Sequence, residues 1–183
     1  MLELCYTFCM HEHPFEVRES LIEGKGIFAA RHIADGEVIC TFDGTRYRIP
    51  ELKELYAQGV ERVDDPLQIG RDLYIDLDEP YIYSNHSCAP NAGMRGEAIM
   101  FALRNINPGE EITYDYSTTE WTDDEAWGVN WTDTWRIPCC CGSQQCRGEI
   151  RGYPLLPEVQ KEAYFAKGAL MGFIYERMAS ERP

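Results

Sequence analysis

Four cysteines fall within eight residues, in the run Cys139-Cys140-Cys141-Gly142-Ser143-Gln144-Gln145-Cys146. Thiolates crowded on one glycine-containing turn suit a tetrahedral zinc ion, with Zn–S bonds of about 2.3 Å. Cys139, Cys141 and Cys146 as ligands give the spacing C-x-C-x4-C. Three ligands leave one position, which water fills in a catalytic site and a fourth cysteine fills in a structural one. The competing reading of the cluster is redox chemistry. The opening Met1-Leu2-Glu3-Leu4-Cys5-Tyr6 has neither a basic segment nor a long apolar core, so an intracellular setting is expected. In that setting the chain's eight cysteines favour metal over disulfides. Cys5, Cys9, His11 and His13 form a second metal set on paper, with surface residues as the plainer reading.

The rest of the chain has turn signals at short intervals. Ile27–Ile33 and Val38–Phe42 read as strands around Asp35-Gly36, and Asp43-Gly44 leads to a further strand over Thr45–Ile49. Pro50 starts a short helix over Glu51–Gln58, stopped by Gly59. Leu67–Ile69 and Leu73–Leu77 form a hairpin around Gly70, and strands over Ala98–Arg104 and Glu111–Tyr116 flank Asn107-Pro108-Gly109. Such spacing predicts a mainly β core. Helices are expected near the end, over Glu158–Lys167 and Ala169–Met178, with Pro157 in the first turn and Gly168 as the break. The segment 117–138 stands apart, with Trp121, Trp127, Trp131 and Trp135 among Asp123, Asp124, Glu125 and Asp133. It is expected to be a partly ordered loop packed over the core. The length of 183 residues suits one domain with a small appendage. The expected division is an N-terminal segment 1–14, a core 15–117, a linker with the cysteine motif 118–152 and a helical segment 153–183.

A net charge of −14 argues against nucleic acid as a general partner. It permits a basic, lysine-rich protein partner, and it is equally what solubility alone would select. No apolar run is long enough for a membrane-spanning helix, so no membrane partner is expected.

Two further motifs frame the core. Asn85-His86-Ser87-Cys88-Ala89-Pro90-Asn91 precedes Gly109-Glu110-Glu111-Ile112-Thr113-Tyr114-Asp115-Tyr116, and Gly24-Lys25-Gly26-Ile27-Phe28-Ala29 lies upstream of both. With the cysteine cluster, and in this order, they resemble the signature of the SET-domain protein-lysine methyltransferases over about residues 15–152. The resemblance is closest to small stand-alone members with a cysteine-rich post-SET tail.

That resemblance implies a SET-domain fold of small curved β-sheets, in which the Asn85–Cys88 segment threads under a later loop. It implies S-adenosylmethionine as methyl donor, held by Gly24, Lys25, Gly26, Asn85 and His86. It names Cys88 as fourth zinc ligand beside Cys139, Cys141 and Cys146, with Cys140 a spectator. Tyr116 would line the point where methyl donor and lysine amine meet, and Tyr114 the far wall of the lysine channel. A tyrosine at that wall tends to accompany mono-methylation. The substrate would be a lysine in a histone or another basic protein; the alternative is a catalytically silent binding module. There are departures from the pattern. Ile82-Tyr83-Ser84 stands where many members have Arg-Phe, and the usual insert shrinks to Asp78-Glu79-Pro80-Tyr81. The upstream channel tyrosine has Gln68 in its strand, with Tyr74 and Tyr47 as possible substitutes. No strong base is required beside the amine, and none is evident in the motifs.

Overall fold

The computed structural model describes residues 13–60, 62 and 65–180. Turn-forming residues cut the chain into strands of at most five residues, which gather into small antiparallel sheets. Phe15–Glu19 (β1) pairs with Lys25–Ala29 (β2), Phe15 opposite Ala29. Val38–Thr41 (β3) and Gly44–Arg48 (β4) follow, then Ile49–Gln58 (α1), which ends on Gly59 in the left-handed region at φ 67°. Leu67–Gln68 (β5) and Leu73–Leu77 (β6) form the expected hairpin and join β4 in a sheet of order β4-β6-β5. Ala92–Arg95 (β7) and Ile99–Ala102 (β8) complete a second sheet of order β3-β8-β7.

The expected strand over Glu111–Tyr116 does not form as one. Glu111 makes an isolated bridge to Phe28 and Tyr114 a parallel bridge to His86, and Tyr116–Thr118 turns into a 3-10 helix. The cause is Asp115, whose carboxylate accepts the Ser117 N–H at 3.1 Å and bends the chain. Residues 85–92 run beside this segment, held by Tyr114 N–H to Asn85 O, Ser87 N–H to Tyr114 O and Ala92 N–H to Thr113 O. Asn-His and Tyr-Asp-Tyr therefore meet in space.

The 117–138 segment is more ordered than expected. It contains Asp124–Trp127 (α2) and Trp131–Thr134 (α3), capped by Asp123 and Asn130. All four tryptophans are buried. Trp127, Trp131 and Trp135 form a second apolar cluster with Ile49, Leu52, Tyr74 and Ile150, while Trp121 joins the main core. Trp127 and Trp131 stack with ring centroids 3.6 Å apart. Ile137–Pro138 (β9) and Glu149–Ile150 (β10) form a ladder that brackets the cysteines. Glu158–Ala166 (α4) and Gly172–Ser180 (α5) close the chain, with Ala169, Leu170, Met171 and Ile174 fully buried in the main core.

Candidate active site and metal centre

The bridge between His86 and Tyr114 fixes the centre of the site. His86 Nδ1 accepts the backbone N–H of Tyr116 at 3.2 Å, and the two rings meet edge to face with centroids 5.3 Å apart. Tyr114 and Tyr116 rings lie 4.9 Å apart, so both face one region although the strand expected to align them is absent. The Tyr116 hydroxyl donates to Ser84 O at 2.8 Å. Asn85 spends its amide N–H groups on Glu111 Oε1 at 2.8 Å, Lys25 O at 3.0 Å and Glu23 O at 3.3 Å. It thereby ties down the Gly24 loop.

Two clefts meet here. The larger, of about 270 Å³, is lined by Gly24, Lys25, Asn85, His86 and Tyr116, with Ile137, Pro138 and Ile150 supplying apolar wall. Its wall thus offers both polar and apolar groups, as small-molecule sites commonly do. Gly26 does not line it. A Cβ there would come within 2.3 Å of Glu111 Oε1, so this glycine is required by the carboxylate that holds Asn85. The smaller cleft, of about 60 Å³, is lined by Tyr114, Tyr116, Gln68, Tyr81 and Glu120 among others. Of the three candidates for the upstream channel position, Gln68 lines this cleft, and Tyr74 and Tyr47 do not. Gln68 is held by Trp121 N–H, which donates to its Oε1 at 2.8 Å. Tyr116, Ile82 and Asp65 line both clefts.

The cysteines gather beside His86. The sulfurs of Cys88, Cys139 and Cys141 and a ring nitrogen of His86 all lie within 4.8 Å of one another. The expected fourth ligand, Cys146, is near but outside that set, with its sulfur 3.7 Å from Cys139 O. Which group would complete a tetrahedron follows from the imidazole. Burial lowers the His86 pKa to about 4, so the ring is neutral. Its Nδ1 lone pair accepts Tyr116 N–H, so the ring proton sits on Nε2, which faces Cys88 Sγ at 3.3 Å. A protonated nitrogen is a donor to a thiolate, not a metal ligand. The sulfurs suit a cation: Cys88 accepts Arg147 N–H, Cys141 accepts Cys88 N–H and Cys146 accepts Gly148 N–H, at 3.4 to 3.5 Å. Burial pushes the Cys141 thiol up, but the Cys88 N–H, Ser143 and Cys139 outweigh it and bring it to about 6, whereas burial holds the Cys88 and Cys139 thiols above the ordinary value. Backbone donors aimed at sulfur are the surroundings expected of bound thiolates. Cys140 is exposed and lines the larger cleft.

Other expectations are resolved differently. Cys5, Cys9 and His11 lie outside the described residues, while His13 stacks on Phe15 and meets the Tyr81 hydroxyl at 3.4 Å. Asp123 is not a free surface charge. It caps α2 through Ala126 N–H and pairs with Arg177, leaving Asp124 and Glu125 exposed. Two groups were not singled out from sequence. Asp115 is buried and takes two hydrogen bonds from Arg147 and one from the Tyr164 hydroxyl. Glu120 is buried in the wall of the smaller cleft.

The family model described as SET domain matches residues 24–117. The chain is 30% identical over 74% of its length to the histone-lysine N-methyltransferase, H3 lysine-4 specific, of Saccharomyces cerevisiae, covering 13% of that protein. It is 31% identical over 72% of its length to the histone-lysine N-methyltransferase trithorax of Drosophila virilis, covering 3% of it. With the variant-silencing SET domain-containing protein of Plasmodium falciparum it shares 34% identity over 56% of its length and 5% of the relative's. The chain thus spans a small part of each of these proteins. In structure it resembles a chain of ctPRC2 in an autoinhibited conformation bound to S-adenosylmethionine, with TM-score 0.51 and 21% identity over 58% of this chain and 15% of that one.

Proposed function

Because the chain belongs to the SET-domain family, we propose that it transfers a methyl group from S-adenosylmethionine to the side-chain amine of a lysine in a basic protein, histone-like in charge. One observation carries this reading: Tyr116 lines both clefts, so a donor in the larger and an amine in the smaller would meet at its ring. S-adenosylmethionine supplies a sulfonium methyl that an amine displaces in line. The chain's part is alignment, exclusion of water and help with one proton.

Gly24 and Lys25 lend backbone to the donor cleft, Asn85 locks that loop, and His86 holds Tyr116 N–H in place. Tyr114, Gln68 and Tyr81 wall the narrow cleft and admit an unbranched chain. A lysine begins with a pKa near 10.4, which an aromatic, desolvated cleft beside a sulfonium lowers. Zinc held by Cys88, Cys139, Cys141 and a Cys146 turned inward would clamp the tail over the donor cleft, since Cys141 belongs to both. The acidic surface, at net charge −14, supports a lysine-rich partner and an intracellular setting where such tails occur. Among the described residues no helix is long and apolar enough to cross a membrane.

The test is incubation of zinc-loaded protein with radiolabelled S-adenosylmethionine and core histones, alongside calorimetry of the cofactor. Label on protein and cofactor binding that weakens in Asn85→Ala are the expected results. Cofactor binding without transfer to histones or to any extract protein points to a silent binding module. No cofactor binding ends the reading.

A further inference from the structure

Glu120 lies four residues past Tyr116, in the acidic linker, yet only 1% of it is exposed. Its three hydrogen bonds all end on one oxygen. Oε1 accepts the Trp131 indole N–H at 3.0 Å, the Thr122 N–H at 3.1 Å and the Tyr74 hydroxyl at 3.2 Å. The Tyr74 hydroxyl in turn accepts the Trp127 indole N–H at 3.2 Å, so the tryptophan cluster fixes the carboxylate's orientation. Oε2 has no partner among the described residues, and it is not one of the sealed, unpartnered polar atoms. Glu120 lines the cleft that Tyr114 and Tyr116 wall, and of its two oxygens Oε2 is the one left to accept a hydrogen bond there.

We propose that Glu120 is a catalytic residue of this site, whose Oε2 receives the substrate lysine's ammonium and takes its proton before methyl transfer. The proposal rests on the methyltransferase reading above. In the step, one N–H bond of the ammonium breaks and an O–H bond forms on Oε2. The electron pair stays on nitrogen and becomes the nucleophile. The proton passes to water when the product leaves.

The surroundings favour this role over a purely structural one. A group needed only to satisfy one indole, one backbone N–H and one hydroxyl requires an acceptor, which a glutamine carbonyl supplies as well. A buried negative charge beside an aromatic cleft is costly unless a cation arrives. The titratable groups around it are Tyr74 on β6, Tyr56 of α1 behind the tryptophans, and Tyr81, Tyr114, Tyr116 and Asp65 of the shared cleft. Burial raises Tyr74 and Tyr114 well above the ordinary tyrosine value, so both stay neutral. Burial also lifts Glu120 to about 7, against the pull of its three donors. A base poised near neutrality is the most effective kind.

The experiment compares wild type, Glu120→Gln and Glu120→Asp. Calorimetry should show unchanged S-adenosylmethionine binding in Glu120→Gln. Its kcat on a lysine peptide should fall about 100-fold or more at neutral pH, the usual share of an acid–base group. The acid limb of the pH profile, near pH 7 in wild type, should vanish in Glu120→Gln and persist in Glu120→Asp. A second readout needs no turnover. Trp131 bonds directly to Glu120, so wild-type tryptophan emission should titrate near pH 7. Adding n-butylammonium as an ammonium probe should move that midpoint downward. Near-normal kcat in Glu120→Gln, an acid limb that survives it, or a midpoint indifferent to n-butylammonium would each overturn the proposal. Should Glu120→Gln fail to fold, the wild-type emission titration decides alone. A wild type that shows the ammonium-dependent shift but transfers no methyl sinks the methyltransferase reading and leaves Glu120 as an ammonium partner.

Discussion

Arg147, one residue past the last cysteine, reaches into the core and closes on Asp115 with two hydrogen bonds of 2.7 and 2.8 Å. Asp115 sits between the two site tyrosines and is fully buried, while Arg147 also presents its backbone N–H to Cys88 Sγ. The pair thus joins three things: the Tyr-Asp-Tyr turn, the cysteine-bearing tail and, through the Tyr164 hydroxyl on Asp115, helix α4.

Removing Arg147 should therefore be severe. Arg147→Ala leaves a buried carboxylate without its cation, a change that costs about 3–5 kcal/mol. Urea unfolding of zinc-loaded protein reads the loss. The double variant with Asp115→Asn should be less damaged than the sum of the singles, because the two residues act as one unit. Strict additivity would show that the pair is not coupled.

Metal content separates the two candidates for the fourth ligand. Purified protein should hold about one zinc per chain, as a four-ligand site requires. Cys139→Ser and Cys146→Ser should lose it, and Cys140→Ser should keep it. His86→Ala should also keep it, because the His86 ring proton lies on the nitrogen that faces Cys88. Metal lost in His86→Ala and kept in Cys146→Ser would make the imidazole the ligand.

The two tyrosines should respond differently to loss of a hydroxyl. Tyr116 lines both clefts and bonds Ser84 O, so Tyr116→Phe should lower kcat by orders of magnitude with cofactor affinity little changed. Tyr114 lines only the smaller cleft. Tyr114→Phe should keep activity and move products from mono- toward di- and trimethyl-lysine, as read by mass spectrometry of the peptide. An unmoved product distribution would remove Tyr114 from the role of far wall.

The parts of this architecture legible in the sequence are those with local signals. The β5–β6 hairpin, helix α1 with its terminal Gly59 and the two strands either side of Asp35-Gly36 follow from turn residues and apolar runs, although those two strands join different sheets and the first ends at Ala29 rather than Ile33. Strand β1 carries only a weak signal: Phe15 and Val17 alternate with Glu16 and Arg18, but the run is five residues long and only Phe15 is buried. The 111–116 strand was over-read for a related reason: alternation of apolar residues is present, but Asp115 caps a turn. Gly24, Lys25, Asn85, His86 and Tyr116 were named from motif resemblance, and their convergence on one cleft depends on long-range pairing that no local pattern encodes. Glu120 and Arg147 gave no signal at all. Each is one charged residue in a charged stretch, and what marks it is burial, which arises only when the tryptophan segment and the tail fold over the core.

The buried Glu120 also leaves a mark on stability that is independent of catalysis. Burial raises its pKa from 4.5 to about 7, so the folded state binds the proton more tightly than the unfolded chain does. The contribution is therefore fully present below pH 4.5 and is lost as pH rises through about 7. Over that window a shift of this size corresponds to about 3 kcal/mol, at roughly 1.36 kcal/mol per unit. Other groups titrate in the same range, so the difference between wild type and Glu120→Gln is the informative quantity. The glutamine keeps a carbonyl acceptor for Trp131, Thr122 and Tyr74 and never becomes charged. Its stability relative to wild type should grow between pH 4.5 and about 7, with the steepest change midway between them and none above that window. Urea midpoints at matched ionic strength, with zinc bound throughout, measure this. A difference that stays flat across the range would mean that Glu120 titrates in the folded protein as it does in the unfolded chain.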